Sequence, residues 1–132
     1  MVLDTSAVLA ILFAEPEREA FVQAISEAPV RLMSTVSALE AAFVVESRKG
    51  PAGGHELELL LSAAEVEVVP FSTEHLALAR EAWRKFGKGR HRAGLNLGDC
   101  CAYALARQSG EPLLFKGSDF VHTDLTAVVA SH

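Results

Sequence analysis

The chain has 132 residues, half of them apolar and 22% charged, which is one domain's worth of sequence with a core large enough to need neither disulfide nor structural metal. A net charge of −5 excludes a protein that coats nucleic acid indiscriminately, and no repeat, low-complexity tract or linker marks a second domain, so residues 1–132 read as a single unit. The most apolar stretch, residues 6–14, is too short to span a bilayer and follows no basic leader, so the expectation is a cytoplasmic protein without a membrane partner.

In chain order, residues 1–4 predict a short buried strand, and residues 6–14 and 16–28 show helical spacing. A second strand is expected at 30–34, followed by helices at 37–49 and 55–64, with GPAGG at 50–54 interrupting them. A strand at 66–71, helices at 73–86 and 98–109, and strands at 112–115 and 125–130 complete the series. This alternation predicts an α/β domain with a mainly parallel central sheet flanked by helices. Ligands of such sheets collect at the carboxyl ends of the strands, near a topological switch point.

The acidic residues sort themselves by place. Thirteen of the seventeen are glutamates, mostly on polar helix faces; the four aspartates are Asp4 after the first strand, Asp99 at the start of the last helix, and Asp119 and Asp124 in the loop after the fourth strand. Taken singly, each aspartate suits a helix cap or turn. Taken together, Asp4 and Asp119 would emerge on one sheet edge, with Asp99 brought close. Converging carboxylates repel one another unless a cation neutralises them, and an all-oxygen donor set suits Mg²⁺ or Mn²⁺ rather than zinc. Glu40 has two readings: Ser37-Ala-Leu-Glu40 matches a capping box, and the same glutamate, one turn into a helix after a strand, suits a ligand.

The basic residues are concentrated too. Arg84, Lys85, Lys88, Arg90 and Arg92, five of the twelve cations, lie in WRKFGKGRHRAG, where they either contact a polyanion or offset a helix dipole. Gly87, Gly89 and Gly94 suggest a flexible loop there. Trp83 reads as core, and the adjacent Cys100 and Cys101 suit neither an ordinary disulfide nor CxxC chemistry, so both read as core thiols.

The blocks VLDTSAVLAILFAEPE, STVSALEAAFVVESR, GKGRHRAGLNLGDCCAYALARQSGEPLLFKGSDF and HTDL, in this order and over essentially the whole chain, resemble the PIN-domain ribonucleases, specifically the VapC toxins of VapBC toxin–antitoxin pairs. The resemblance implies a PIN-like fold with Asp4, Glu40 and Asp99 as metal-binding acidic groups and Asp119 as a fourth. Ser118 departs from the pattern, since many relatives carry a second acidic residue there; Asp124 is then a possible substitute or a supporting group. Thr5 and Ser6 match hydroxyl residues that would orient Asp4 or a water. The implied activity is Mg²⁺-dependent hydrolysis of structured RNA, such as tRNA or rRNA loops, leaving 5′-phosphate and 3′-hydroxyl ends. Arg84, Lys85, Lys88, Arg90, Arg92 and Lys116 are the expected RNA contacts, with His122 also bordering the acidic loop. Implied partners are a VapB-type antitoxin that places an arginine among the carboxylates, and a second copy of the chain docking through the helices at 6–14 and 37–47, whose other role is core packing.

Two further readings compete. Asp4 after the first strand, with Lys116 after a late one, suits an aspartate phosphotransfer domain, although the DxD of one such family and the additional acidic pair of another are missing. A catalytically silent PIN-fold binding module is the non-enzyme alternative, and a retained carboxylate cluster argues against it, because burying such charge is costly without a metal.

Overall fold

In the computed structural model, which describes residues 1–128, four short strands pair side by side and all run parallel. They are β1 (Val2–Leu3), β2 (Leu32–Ser34), β3 (Glu67–Val69) and β4 (Leu113–Leu114), in the spatial order β3-β2-β1-β4. Val2 is in register with Leu32 on one side and Leu113 on the other, and Leu3 with Leu114. The chain winds outward from β1 to β2 and β3, then returns to place β4 on the far side of β1. The switch point therefore lies between β1 and β4.

Side chains alternate across the pleat, which divides the core in two. Leu3, Met33 and Leu114 face α1 (Thr5–Leu12), α2 (Arg18–Glu27), α3 (Thr35–Lys49) and α4 (Pro51–Ala63), where they pack with Val8, Phe21, Ile25, Val45 and Leu57. Val2 and Leu113 face α5 (Thr73–Phe86) and α6 (Leu97–Ser109), with Leu95, Tyr103 and Leu105. These strand residues are almost wholly excluded from solvent, so each large one contributes about 1.5–3 kcal/mol. That burial compensates for strands too short to be stable alone.

Helix starts differ from expectation in an informative way. Ser34 leaves β2 still extended and caps α3, its hydroxyl accepting from the Val36 amide at 3.2 Å. Ser37 is thus already inside the helix, its hydroxyl buried without a partner among the described residues, and the Ser37–Glu40 capping box does not form. α4 begins at Pro51, since proline at the first helical position loses no hydrogen bond; the break before it is Gly50 alone, at φ +70°. The expected fifth strand reduces to one parallel bridge between Ala127 and Leu113, and its residues 129–130 lie outside the described residues. Cys100 and Cys101 are buried free thiols, as expected, and burial pushes Cys100 up to about 11. Among the described residues no helix is long and apolar enough to cross a membrane.

Candidate active site

Four carboxylates from separate segments meet in one cavity of about 200 Å³ at the carboxyl edge of the sheet. Asp4 comes from the end of β1, Glu40 from the second turn of α3, Asp99 from the first turn of α6 and Asp119 from the turn after β4. Thr5, Ser6 and Lys116 line it as well.

Asp4 is buried and caps α1: its Oδ2 accepts from the Ser6 amide at 3.0 Å and from the Ser6 hydroxyl at 2.5 Å. Burial pushes its carboxyl up to about 6; the Ser6 hydrogen bonds pull the other way, and the charge of Glu40 adds to the rise. Ser6 also accepts from the Lys116 amide at 2.9 Å, so one hydroxyl fixes the aspartate and ties down the loop after β4. Thr5 points elsewhere, donating to the Ser37 carbonyl at 3.1 Å and joining α1 to α3.

Asp99 is the third residue of α6 and closes a capping box with Asn96: its Oδ2 accepts from the Asn96 amide at 3.1 Å, and its own amide donates to Asn96 Oδ1 at 2.9 Å. Burial raises its carboxyl to about 7, opposed by the Asn96 hydrogen bond and reinforced by the charges of Asp4, Asp119 and Glu40. Cap and site are one residue here. Glu40 differs, since its carboxylate accepts no hydrogen bond among the described residues; it lies against Gly98, where a β-carbon would stand 2.6 Å from Oε1 and 2.7 Å from Oε2. Only glycine at position 98 leaves that room.

Such a set suits a hard divalent cation. It offers only oxygen, burial and neighbouring charge raise the carboxyls of Asp4 and Asp99, and its buried charge calls for a counter-ion. Among the described residues no three acidic, histidine or cysteine side chains form a ready-made clasp around one ion.

The remaining expected residues scatter. Asp124 lies outside the cavity: it accepts from the Tyr103 hydroxyl at 2.7 Å and pairs with Arg107 at 3.3 Å, which fastens the segment after β4 to α6 and leaves Asp119 as the fourth carboxylate of the pocket. Lys116 stands at the pocket's lip, but its ammonium pairs with Glu15 at 2.8 Å and Glu17 at 3.3 Å. It does not reach for Asp4, which removes the feature that favoured phosphotransfer. Arg84 and Lys85 occupy the last turn of α5, Lys85 paired with Glu81; Lys88, Arg90 and Arg92 follow in the loop, and none of the five lines the carboxylate pocket. His122 is exposed in the turns after β4.

That basic loop is held rather than loose. The Lys88 amide donates to the Leu95 carbonyl, the Leu95 amide to Phe86, and both Arg90 and His91 amides to Gly87. Trp83 is 45% exposed instead of buried, with the Arg90 guanidinium 4.0 Å from its ring centroid, because this face of α5 borders an apolar cleft of about 500 Å³. That cleft is the larger cavity but carries no carboxylate. Sequence reasoning missed Gly98, whose one signal is its place directly before Asp99, and Glu15 and Glu17, which the AEPE segment contains.

The PIN domain family profile matches residues 1–125. Ribonuclease VapC of Mycolicibacterium smegmatis is 56% identical over 128 residues, spanning 97% of this chain and 99% of that protein. Ribonuclease VapC30 of Mycobacterium tuberculosis is 54% identical over the same length, spanning 97% and 98%. Among solved structures, the VapC20 toxin of Mycobacterium tuberculosis, described as cleaving the sarcin–ricin loop, superimposes with a TM-score of 0.78 at 18% identity over 96% of this chain and 97% of that one. VapBC2 of Rickettsia felis, bound to a DNA fragment from its promoter, gives 0.78 at 14% identity over 98% of each chain.

Proposed function

This chain belongs to the PIN-domain family, among the VapC ribonucleases of toxin–antitoxin systems, and from that premise we propose that it is a Mg²⁺-dependent endoribonuclease hydrolysing phosphodiesters in structured RNA of the tRNA or rRNA kind. The observation that carries the metal and the site is the convergence of Asp4, Glu40, Asp99 and Asp119, with two of them held near neutral pKa by burial and mutual repulsion. The chemistry supplied by Mg²⁺ or Mn²⁺ when bound is charge neutralisation at a scissile phosphate and acidification of water.

The protein's own part is positioning. Ser6 fixes Asp4 and the Asn96 amide fixes Asp99, leaving Asp99 Oδ1 without a hydrogen-bond donor among the described residues. Glu40, spaced by Gly98, adds a carboxylate with no structural duty, and exposed Asp119 closes the solvent side. No side chain is needed as nucleophile: Cys100 has its thiol pushed well above the reactive range, and Cys101 is raised as well.

An rRNA loop as substrate draws support from the description of VapC20, and a VapB-type antitoxin partner from the solved VapBC2 of Rickettsia felis and the toxin–antitoxin complex of Klebsiella pneumoniae. A cationic antitoxin segment is complementary to the carboxylate pocket. The cytoplasm, where RNA is met, is the proposed place of action.

The test is to incubate antitoxin-free protein with total cellular RNA, with and without Mg²⁺, beside Asp4→Asn and Asp99→Asn, and to map new 5′ ends by sequencing. Discrete metal-dependent cuts that each variant reduces at least about a hundredfold are expected, the scale on which one transition-state-stabilising group acts. Cuts that persist in both variants would refute the site. A folded, metal-binding protein that cuts nothing would favour the silent binding module.

A further inference from the structure

A third cavity, of about 350 Å³, continues from the carboxylate pocket, sharing Ser6, Leu9 and Lys116 with it and extending to Phe13, Glu15 and Arg48. Lys116 and Arg48 line this extension and Lys49 stands over the Phe13 ring, 5.5 Å from its centroid; the two lysines are already balanced. Lys116 pairs with Glu15 and Glu17, while Lys49 pairs with Glu56 at 3.0 Å and donates to the Leu12 carbonyl at 3.1 Å. Arg48 has no carboxylate within ion-pair distance among the described residues; its guanidinium lies 4.5 Å from the Phe13 ring centroid. Offsetting the C-terminal dipole of α3 requires only a cation in the last turn, which Lys49 also supplies.

An RNA strand approaching this edge meets four carboxylates in the pocket and Glu15 and Glu17 beside it, on a protein of net charge −5. A cation on the flank favours the approach of a phosphate by offsetting part of that repulsion. The carboxylate pocket's own lip offers Lys116, whose charge is already matched twice. A guanidinium stacked on an aromatic face is restricted in orientation yet keeps its N–H edges for the bidentate geometry that phosphate accepts.

We propose that Arg48, held on Phe13, binds a backbone phosphate of the RNA strand flanking the scissile one, so that the strand runs from the carboxylate pocket across the ends of α1 and α3. This rests on the ribonuclease reading and assigns to that reaction a contact outside the basic loop. Phe13 is the positioning residue that aims the guanidinium.

The experiment measures binding apart from cleavage, using the Asp99→Asn protein and a fluorescein-labelled single-stranded oligoribonucleotide of mixed sequence, by anisotropy over a series of salt concentrations. Adding Arg48→Gln is expected to weaken binding roughly fivefold to tenfold and to lower the slope of log affinity against log salt by about 0.7, the value for one single-strand phosphate contact. Arg48→Lys should keep the slope while losing part of the affinity. Arg107→Gln, which removes the same charge from the neighbourhood of Asp124, should change neither appreciably, and circular dichroism should show all variants folded. Equal affinity and slope for the Arg48→Gln and Arg107→Gln proteins would overturn the assignment and leave the nuclease reading standing. An Asp99→Asn protein with Arg48 intact that binds no oligoribonucleotide would likewise overturn the Arg48 assignment, while the cleavage assay alone decides the nuclease reading.

Discussion

Gly98 and Glu40 meet at the point where α6 begins, and their contact opposes stability to function. Alanine favours a helix over glycine by up to about 1 kcal/mol, yet at position 98 its β-carbon would displace the Glu40 carboxylate, a flexible group that can swing away. Gly98→Ala should therefore melt at the same temperature or higher, while RNA cleavage falls roughly tenfold to a hundredfold, the range for losing a group that supports a metal site. Paired thermal melts and cleavage assays check this, and a variant of full activity would show that Glu40 is dispensable. Asp99 carries a pH prediction. Its folded carboxyl keeps a proton up to about 7, whereas the ordinary value is 3.8, so between those limits the folded state binds more protons than the unfolded chain. Stability of the metal-free protein must then fall as pH rises through that window, and Asp4 adds to the fall up to about 6. In EDTA the melting temperature should drop by several degrees from about pH 4 to about pH 7. Asp99→Asn, whose amide oxygen still accepts from Asn96, should flatten the curve, and Mg²⁺ should restore stability at the upper end. A pH-independent wild-type melt would contradict the buried, mutually repelling pair.

At the scale of elements, the sheet and its helices were readable because apolar runs and helical periodicity are local. Their ends were not, because ends depend on partners. STVS offers three cap-forming choices, Ser34, Thr35 and Ser37, and the one used is Ser34, since pairing with β3 keeps the backbone extended through the register of Ser34 with Val69. GPAGG looked like a break five residues long, yet only Gly50 departs from the helix, because Pro51 needs no amide partner and Gly53 and Gly54 have Val45 and Glu46 packed close against them. The apolar face expected to mediate pairing of two copies also resolves by helix. α1 buries Ala7, Val8, Ala10 and Ile11 in the core, whereas α3 leaves Leu39 54% and Phe43 65% exposed one turn apart. Should two copies associate, α3 offers the surface: Phe43→Glu should convert a dimer to a folded monomer by light scattering, with an unchanged far-ultraviolet spectrum. Wild-type protein already monomeric at micromolar concentration would dispose of the dimer.

For the whole molecule, parallel topology explains why a site built from four distant segments was visible in one dimension. The chain has four aspartates, and the rule that ligands gather where strands end selects the same edge for Asp4 and Asp119 from the sequence alone. What stayed hidden was set by packing between segments far apart: the pairing of Lys116 with Glu15 and Glu17, the exposure of Trp83, the fastening of Asp124 to Tyr103, and Arg48 on Phe13. The double use of Asp4 and Asp99 also bears on how such genes decay. Both cap helices, a duty that limits the replacements each tolerates after catalysis has ceased to matter, whereas Glu40 caps nothing and holds position 98 to glycine without benefit to the fold. Under drift, Glu40 and Gly98 would erode first. A survey that scored surviving aspartates alone would therefore count spent copies as live toxins, and the glutamate–glycine pair is the better marker of a working one.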